Sequence, residues 1–351
     1  MRVVVLGATG NVGTSVLESL AGASEVDEII GVARRLPELK MPKTEWLAAD
    51  ILDADLEKIF TGADCVIHLA WLIQPSHNVK LLDAVNVGGT ERVLKAVAAA
   101  RVPALVAASS IGAYSKGPKD RMVDESWPTE GIRSCYYSRQ KAETERLLDR
   151  FEADNPSTRV VRLRPSLIFK REAAAGIRRL FVGPLLPNPL ARPSLIPVVP
   201  DIDGLAIQAV HSRDVGEAYR LAAVGDARGA FNISAEPVLD IDRLAELLGA
   251  RKVRMRAGVL RAAALASWKL HLQPTDPTWL DMGLGAPLID PGRARRELGW
   301  VPTFTAEQAL LELLTGLRSF SGYETPPLTA DAGGAGRFSE FRSGVGSRQG
   351  A

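Results

Sequence analysis

The chain has 351 residues, of which 46% are hydrophobic and 24% are charged, a composition typical of a globular protein with one large or two modest domains. Its formal net charge of only +2 excludes the strongly basic surface on which nucleic-acid-binding proteins depend. Cys65 and Cys135 lie far apart, so we expect reduced thiols and neither a disulfide framework nor a metal site. No basic region precedes a long apolar segment, which predicts a cytoplasmic location without a signal peptide or membrane span.

Short apolar runs alternate with stretches of helical periodicity over residues 1–165. Such apolar runs, rich in β-branched residues, are typical of strands buried on both faces of a parallel sheet. The alternation predicts an α/β fold, a doubly wound parallel sheet of the Rossmann type with a smaller, mostly helical C-terminal substrate lobe. The predicted elements are strands at Val3–Leu6, Glu28–Ala33, Trp46–Ala48, Asp64–Leu69, Ala104–Ser109 and Arg159–Leu163, and helices at Asn11–Leu20, Val79–Ala100 and Tyr136–Phe151.

Three parts of the chain are expected. Residues 1–165 form the sheet domain, and residues 166–320 form the second lobe, from which 206–224 return to the sheet as the strand Ala206–His211 and a helix. The proline-rich segment that follows Pro165 suits either a pocket wall or an irregular connection. Residues 321–351 contain few large apolar side chains and are expected to be a disordered tail.

A glycine-rich loop follows the first strand and opens the first helix. In this position the first glycine suits a tight turn, the second lets a pyrophosphate approach the backbone, and the third lets the helix pack against the strand. The spacing therefore predicts a dinucleotide site rather than a merely structural turn. The predicted contacts of the loop are Gly7, Thr9, Gly10, Asn11, Val12 and Gly13.

Arg34 and Arg35 end the second strand, where the adenosine half of a dinucleotide would lie. NAD-specific sites place a carboxylate here for the ribose 2′-hydroxyl, whereas a guanidinium suits a 2′-phosphate. The sequence therefore leans towards NADP over NAD, with solvated loop arginines as the alternative. Asp50 and Ile51 follow the third strand and are candidates for contact with the adenine ring, and a helix cap is the alternative for Asp50.

Ser110, Tyr137 and Lys141 form the candidate catalytic set. Tyr137 and Lys141 are four residues apart on a predicted helix, so their side chains share one face. A tyrosine with a pKa of about 10 is a poor base at neutral pH, and an adjacent ammonium is expected to favour its phenolate. Ser110 follows the fifth strand, at the sheet edge where such folds bind ligands. Tyr136 is the alternative tyrosine, but it has no lysine one turn later.

Over about residues 1–319 the chain resembles the extended short-chain dehydrogenase/reductase superfamily, and within it the NAD-dependent epimerase/dehydratase group. The resemblance implies that Leu69, Ala70 and Asn86 belong to the cofactor site and that Lys141 also holds the nicotinamide ribose. It further implies that His68 packs beside the cofactor and does not act as a base. Besides the glycine loop, the similar motifs are Val66–Ala70, Asn86–Thr90, Ser109–Tyr114, Arg164-Pro165, His211–Val215 and Arg296–Pro302.

Two departures from the family pattern bear on the reaction. Ile111-Gly112 stand where dehydratases of this group carry an acidic pair, which disfavours water elimination. The residues after Pro165 also differ from those of sugar-nucleotide epimerases and suggest an apolar pocket. The candidate pocket residues are Phe169, Leu180 and Phe181, with Lys170, Arg178 and Arg179 as candidate anion contacts or solvated surface charges.

We therefore predict an NAD(P)-dependent oxidoreductase or epimerase that moves hydride between nicotinamide C4 and a carbinol or carbonyl carbon, with Tyr137 as the acid/base. A sugar-nucleotide epimerase and a reductase of ketones or hydroxy compounds both remain open. The alternative is a catalytically silent NADP-sensing regulatory protein, although such relatives generally lose the Tyr-Lys pair. The expected partners are a small-molecule substrate and a second copy of the chain, and no nucleic acid.

Overall fold

The computed structural model describes residues 1–73, 78–181, 198–270, 275–319 and 321–329. Its first half alternates strands and helices close to the positions that the sequence predicts. None of the helices in these ranges is long and apolar enough to cross a membrane. In chain order the elements are β1 (Arg2–Leu6), α1 (Asn11–Ala21), β2 (Glu28–Ala33), β3 (Thr44–Ala48), α2 (Leu56–Phe60), β4 (Cys65–His68), α3 (Val79–Asp83), the π-helical turn Ala84–Gly88, α4 (Gly89–Ala99), β5 (Ala104–Ala108), β6 (Met122–Val123), α5 (Tyr136–Asp154) and β7 (Arg159–Pro165).

The second half of the chain adds smaller elements around this core. They are β8 (Leu167–Phe169), α6 (Ala174–Phe181), β9 (Val198–Asp201), β10 (Ala209–His211), α7 (Ser212–Val224), β11 (Gly229–Ile233), α8 (Ile241–Leu248), β12 (Arg251–Arg254), α9 (Ala257–Lys269), α10 (Thr278–Gly285), β13 (Leu288–Ile289) and α11 (Ala306–Ser319). Apart from β11, the described strands of this half form two-stranded pairs, β8 with β10, β9 with β12, and β13 with β6. One of these pairs, β13 with β6, joins the second lobe to the first.

Seven parallel strands form the central sheet, in the order β11-β7-β5-β4-β1-β2-β3. The inner strands are continuous apolar runs because helices cover both faces, and Val3 to Leu6 in β1 have no exposed surface. The strand order reverses between β1 and β4. In sheets of this kind, ligands bind beyond the carboxyl ends of the strands beside such a reversal.

The predicted strand within Ala206–His211 does return to the core, since Val210 is buried in the same cluster as β1, but it does not join the central sheet. Ala209–His211 pair with β8, and the seventh strand of the central sheet is β11, which pairs with β7. Both segments are short and apolar, so their composition does not distinguish the two pairings. The predicted helix that follows does return, because Val215 and Tyr219 of α7 are buried in the same cluster as β1.

Two apolar layers lie on opposite faces of the sheet. One contains residues of α1 and α7, and the other contains residues of α4 and α5. Helices α1 and α7 approach closely, since the Oγ atoms of Ser15 and Ser212 are 3.0 Å apart. The approach depends on Gly216, where a Cβ would lie 2.5 Å from the backbone oxygen of Ser15.

The motifs around Asp214 and Trp300 hold the second lobe against α7. The indole N–H of Trp300, which is completely buried, donates to the carbonyl oxygen of Asp214 at 2.7 Å. The carboxylate of Asp214 accepts from the backbone N–H of Thr303 at 2.9 Å and of Phe304 at 3.0 Å. The motifs around Asp214 and Trp300, both of which carry the family resemblance, therefore hold the two lobes together.

The predicted tail does not begin at residue 321. Thr325 and Leu328 are buried, and the Thr325 hydroxyl donates to the carbonyl oxygen of Thr9 at 2.9 Å. The Tyr323 hydroxyl donates to Glu18 of α1 at 2.6 Å. Residues 321–329 thus pack on the glycine loop and α1 through a few specific contacts, which the average composition of the segment does not indicate. Residues 330–351 of the predicted tail lie outside the described residues.

The variant Gly216→Ala is expected to lower the free energy of unfolding by about 1–3 kcal/mol, because the new methyl group would overlap the backbone of α1. Gly258→Ala in α9 is the matched control, since an added Cβ there has no neighbour within 4 Å. It should be neutral or slightly stabilising, because alanine favours helices over glycine. Denaturant titration measures both, and equal stability of the two variants would contradict the close packing of α1 on α7.

Candidate functional site

The glycine loop packs against the ends of β1 and β4. Gly7 has φ +80°, a left-handed conformation that favours glycine, and a Cβ there would lie 2.9 Å from the backbone nitrogen of Ala70. A Cβ on Gly13 would lie 2.3 Å from the carbonyl oxygen of Gly7. The structure therefore brings the predicted loop residues together with Leu69 and Ala70 at the reversal of the strand order.

The N-terminus of α1 suits a pyrophosphate. The helix begins at Asn11 after Gly10, and because Gly10 has no side chain, none caps the first N–H groups of the helix. A Cβ on Gly10 would meet only the carbonyl oxygen of Gly7, at 3.4 Å, so the space above this residue is open. Backbone N–H groups and the helix dipole together favour an anion in this space. The cradle fits a dinucleotide, and Gly10, Asn11 and Val12 would hold its phosphates.

The residues predicted for the adenosine half of the dinucleotide differ in their exposure and in their contacts. Arg34 and Arg35 are both exposed at the end of β2. Asp50 Oδ1 accepts from the backbone N–H of Leu52 at 3.1 Å, which forms a local turn and not the helix cap given as the alternative, since α2 begins at Leu56 after its N-cap Asp55. Ile51 is buried, and its Cδ1 packs over Gly89 at the start of α4.

Asn86 supports the site from within the protein. It lies in the π-helical turn between α3 and α4 and is completely buried. Its Oδ1 accepts from Leu72 N at 2.7 Å, and its Nδ2 donates to Leu72 O at 3.0 Å and to Gln140 Oε1 at 3.0 Å. The amide of Asn86 therefore holds the segment after β4 against α5, and its place in the cofactor site stays a prediction.

His68 at the end of β4 is a neutral, buried side chain. Its Nε2 lies 3.0 Å from Thr90 Oγ1, and Nδ1 has no hydrogen-bond partner within the described chain. Burial and, to a smaller extent, the charge of Lys141 together lower the pKa of His68 to about 3. A histidine with this pKa does not act as a base at neutral pH, in agreement with what the family resemblance implies.

Ser110 and Tyr137 meet beside a short helical turn that follows β5. Ser110 Oγ accepts from the backbone N–H of Gly112 at 3.0 Å, which leaves the hydroxyl hydrogen available to a second partner. A Cβ on Gly112 would lie 2.8 Å from Cε1 of Tyr137, so the tyrosine ring packs directly on this backbone. Gly112, one of the two residues that replace the acidic pair of dehydratases, thus makes room for Tyr137.

The expectation that Lys141 lowers the pKa of Tyr137 is not met in this structure. Burial raises the pKa of Tyr137 to about 12, although its hydrogen bond with Ser110 acts in the opposite direction. The ammonium of Lys141 is engaged elsewhere, since Nζ donates to the carbonyl oxygen of Ala108 at 2.9 Å and lies 3.4 Å from the ring centroid of Trp71. Tyr137 is therefore a protonated phenol at neutral pH.

Two tryptophans that the sequence did not indicate, Trp71 and Trp279, pack against Tyr137, and together with Tyr136 they form what we call the aromatic wall. The ring of Trp71 meets that of Tyr137 edge-on at 6.0 Å, and the ring of Trp279 lies 4.9 Å away at an angle of 31°. The indole N–H of Trp279 also donates to the Tyr136 hydroxyl at 3.3 Å. Trp71 directly follows Ala70, which was a usable signal, whereas Trp279 comes from α10 and no local pattern connects it with Tyr137.

One of the predicted anion contacts, Lys170, is directed into the protein. Lys170 is buried, and its Nζ donates to Thr14 Oγ1 at 2.6 Å and to Ser15 Oγ at 3.3 Å, within α1. Arg178 is also buried. Phe169 packs against a small buried cluster that contains Ala209 and Leu239. The side chains of the other three predicted pocket residues, Arg179, Leu180 and Phe181, lie outside the described residues.

A family model described as "NAD dependent epimerase/dehydratase family" matches residues 3–233 of the chain. An uncharacterised protein of Mycobacterium tuberculosis is 28% identical over 325 residues, which cover 92% of this chain and 31% of that protein. The chain thus spans about a third of the length of this and the other first curated relatives. A 3 beta-hydroxysteroid dehydrogenase/Delta 5→4-isomerase of Mycobacterium tuberculosis is 29% identical over 348 residues, covering 89% of each chain.

Solved structures share the fold. UDP-glucose 4-epimerase of Thermus thermophilus, in complex with NAD, is 22% identical with a TM-score of 0.64 and covers 91% of this chain and 99% of its own. UDP-glucuronic acid 4-epimerase of Bacillus cereus, also in complex with NAD, is 17% identical with a TM-score of 0.66, covering 92% and 100%. At these identities the likeness concerns the fold.

Gly10→Ala is expected to fold normally, because the backbone of Gly10 (φ −79°, ψ 178°) is accessible to alanine. The new methyl group would stand where a pyrophosphate approaches the backbone, so the Kd for NADH and NADPH should rise at least about tenfold. Nicotinamide fluorescence titration measures both. Gly22→Ala at the far end of α1, where the added Cβ lies 3.6 Å from Ser19 O, is the control. Equal affinities of the two variants would refute this cofactor site.

Proposed function

The chain belongs to the NAD-dependent epimerase/dehydratase family, and on this premise we propose that it transfers hydride between a nicotinamide dinucleotide and a carbinol or carbonyl carbon. The observation that carries the proposal is the packing of Tyr137 on Gly112 beside Ser110, with Lys141 one helical turn further along α5. These groups lie at the carboxyl edge of the sheet together with the cradle at Gly10. A bound nicotinamide supplies or accepts the hydride.

In this proposal Tyr137 moves the proton. In the direction of reduction its phenol donates the proton to the substrate oxygen while the carbonyl carbon receives the hydride, and in the direction of oxidation both steps reverse. The hydroxyl of Ser110 donates a hydrogen bond to the same oxygen and orients it. Lys141, held at the carbonyl oxygen of Ala108, keeps a positive charge beside the reacting atoms.

The same residues serve two outcomes. Release of the oxidised product gives a dehydrogenase, and return of the hydride to the opposite face of a retained intermediate gives an epimerase. Retention of Ser110, Tyr137 and Lys141 supports an enzyme over a cofactor-sensing protein.

For the cofactor, Arg34 and Arg35 support NADP, whereas the fold relatives are complexes with NAD. The ratio of NADPH to NADH affinity in Arg34→Ala distinguishes the two, because loss of a guanidinium weakens only 2′-phosphate binding.

Tyr137→Phe should reduce turnover by about 10²–10⁴-fold, the range for loss of a general acid, with an almost unchanged Kd for NADH. Turnover is followed by nicotinamide absorbance on a panel of ketones, alcohols and nucleotide sugars. Tyr136→Phe is the comparison variant, because it removes the hydroxyl of the neighbouring tyrosine, which accepts a hydrogen bond of 3.3 Å from Trp279. It should lose a few-fold at most, and full activity of Tyr137→Phe would rule out the assignment.

The aromatic wall supports an apolar ring compound as the substrate. The rings of Trp71 and Trp279 pack on that of Tyr137, and Trp279 also packs on Tyr136. Lys141 is engaged with Ala108 and Trp71. A nucleotide sugar needs cations for its phosphates, whereas Lys170 is directed into α1. The name of the similar 3 beta-hydroxysteroid dehydrogenase of Mycobacterium tuberculosis gives a hydroxysteroid, an apolar ring compound, as the substrate of that protein.

Trp279→Ala is expected to lower kcat/KM for apolar ring alcohols by about 10- to 100-fold, since burial against a large side chain contributes about 1.5–3 kcal/mol. Activity on a small hydroxy ketone should change little, because such a substrate does not reach the wall, and it serves as the internal control. Turnover of UDP-sugars with no activity on ring alcohols would instead identify an epimerase of nucleotide sugars.

A further inference from the structure

A buried carboxylate on α5 takes no part in the proposed reaction. Glu145 lies one helical turn after Lys141, and its side chain is only 1% exposed. Burial opposes ionisation, yet the hydrogen bonds and charge of Arg164, together with Ser109 and Arg162, lower the pKa of Glu145 to about 2. Glu145 is therefore an ionised group in the protein interior, and such groups are retained only where several partners stabilise them.

Each oxygen of the Glu145 carboxylate has two donors. Oε1 accepts from the hydroxyl of Ser109 at 2.5 Å and from Arg164 Nε at 2.8 Å. Oε2 accepts from Arg164 Nη2 at 2.9 Å and from Arg162 Nη1 at 3.1 Å. The two arginines belong to β7, whereas Ser109 follows β5. The carboxylate thus joins three segments of the chain, of which only its own helix carries Tyr137.

Two side chains of α5 hold consecutive residues at the end of β5. Lys141 Nζ donates to the carbonyl oxygen of Ala108 at 2.9 Å, and one turn later Glu145 accepts from the hydroxyl of Ser109. The next residue is Ser110. The two contacts therefore set the position of Ser110 relative to Tyr137, which lies one turn before Lys141 on the same helix.

We propose that Glu145 is a positioning residue for this site: it clamps the end of β5, and with it Ser110, against the helix that bears Tyr137, and it maintains the positive charge of Lys141. The proposal rests on the proposed function, because it assigns Glu145 to the support of that reaction. Glu145 does not touch the reacting atoms. It acts through Ser109 and Lys141.

The charges around Lys141 define the expected pH dependence. Burial lowers the pKa of Lys141 to about 7, and Glu145 on the same helix opposes this shift. His68 of β4 is neutral at pH 7, since its pKa is about 3, and Tyr137, with a pKa of about 12, is also neutral. Lys141 loses its charge as the pH rises through its pKa. Removal of the Glu145 charge should therefore move this loss to lower pH.

Three variants test the proposal. Glu145→Gln removes the charge and keeps the shape, and Ser109→Ala removes only the contact with β5. Asp149→Asn is the matched control, because Asp149 also pairs with Arg162, at 2.5 Å, but is 63% exposed and not in contact with β5. Each variant is measured for thermal unfolding, NADH affinity, the pH profile of kcat, and the midpoint of the Lys141 titration by NMR of ¹³C-labelled lysine, assigned by its absence in Lys141→Met.

Glu145→Gln should move the high-pH limit of kcat and the Lys141 midpoint together to lower pH. Ser109→Ala should lower kcat by about 10- to 100-fold, the effect of misplacing a reacting group, with unchanged NADH affinity. Asp149→Asn should match the wild type. A folded Glu145→Gln protein with the wild-type Lys141 midpoint overturns the proposal, as does wild-type kcat in Ser109→Ala. If Glu145→Gln does not fold, the kcat of Ser109→Ala tests the proposal by itself.

The NMR midpoint separates this inference from the proposed function. It is measured without turnover, so a wild-type protein that is inactive on every substrate still reports whether Glu145 holds the charge of Lys141. An inactive wild type with the predicted shift in Glu145→Gln refutes the proposed reaction and leaves the electrostatic role of Glu145 supported. An active wild type without the shift refutes the role of Glu145 alone.

Discussion

The close approach of the glycine loop to the end of β4 is the constraint on which the rest of the site depends. Side chains are excluded at Gly7 and Gly13, because a Cβ there would lie within 2.9 Å and 2.3 Å, respectively, of backbone atoms. The contact places the N-terminus of α1 at the point where the strand order reverses, with its N–H groups available to an anion. The ends of β4 and β5 and the start of α5 then border one crevice.

Burial governs the ionisation of this crevice before any specific partner does. It raises the pKa of Tyr137 to about 12 and lowers that of Lys141 to about 7, so it favours the neutral form of both groups. The tyrosine is consequently protonated at neutral pH, whereas the lysine is near its midpoint. The charge of Glu145 opposes the effect of burial on the pKa of Lys141, and the arginines of β7 keep Glu145 ionised.

The second lobe adds side chains to the edge of the sheet at which Tyr137 lies. Helix α10 brings Trp279 to within 4.9 Å of the Tyr137 ring, and residues 321–329 pack on the glycine loop through Thr325. Neither contribution belongs to the parallel sheet that the chain has in common with epimerases of nucleotide sugars.

The sequence by itself predicted most strands and helices of the sheet domain, the glycine loop and the candidate set of Ser110, Tyr137 and Lys141, because apolar periodicity, glycine spacing and a four-residue separation are local signals. Only the tertiary structure decided that β11 completes the sheet, that Trp279 faces Tyr137 and that Asn86 is an internal support. It also reversed the expected direction of the Tyr137 pKa shift. These outcomes depend on burial and on contacts between distant residues, which no local pattern contains.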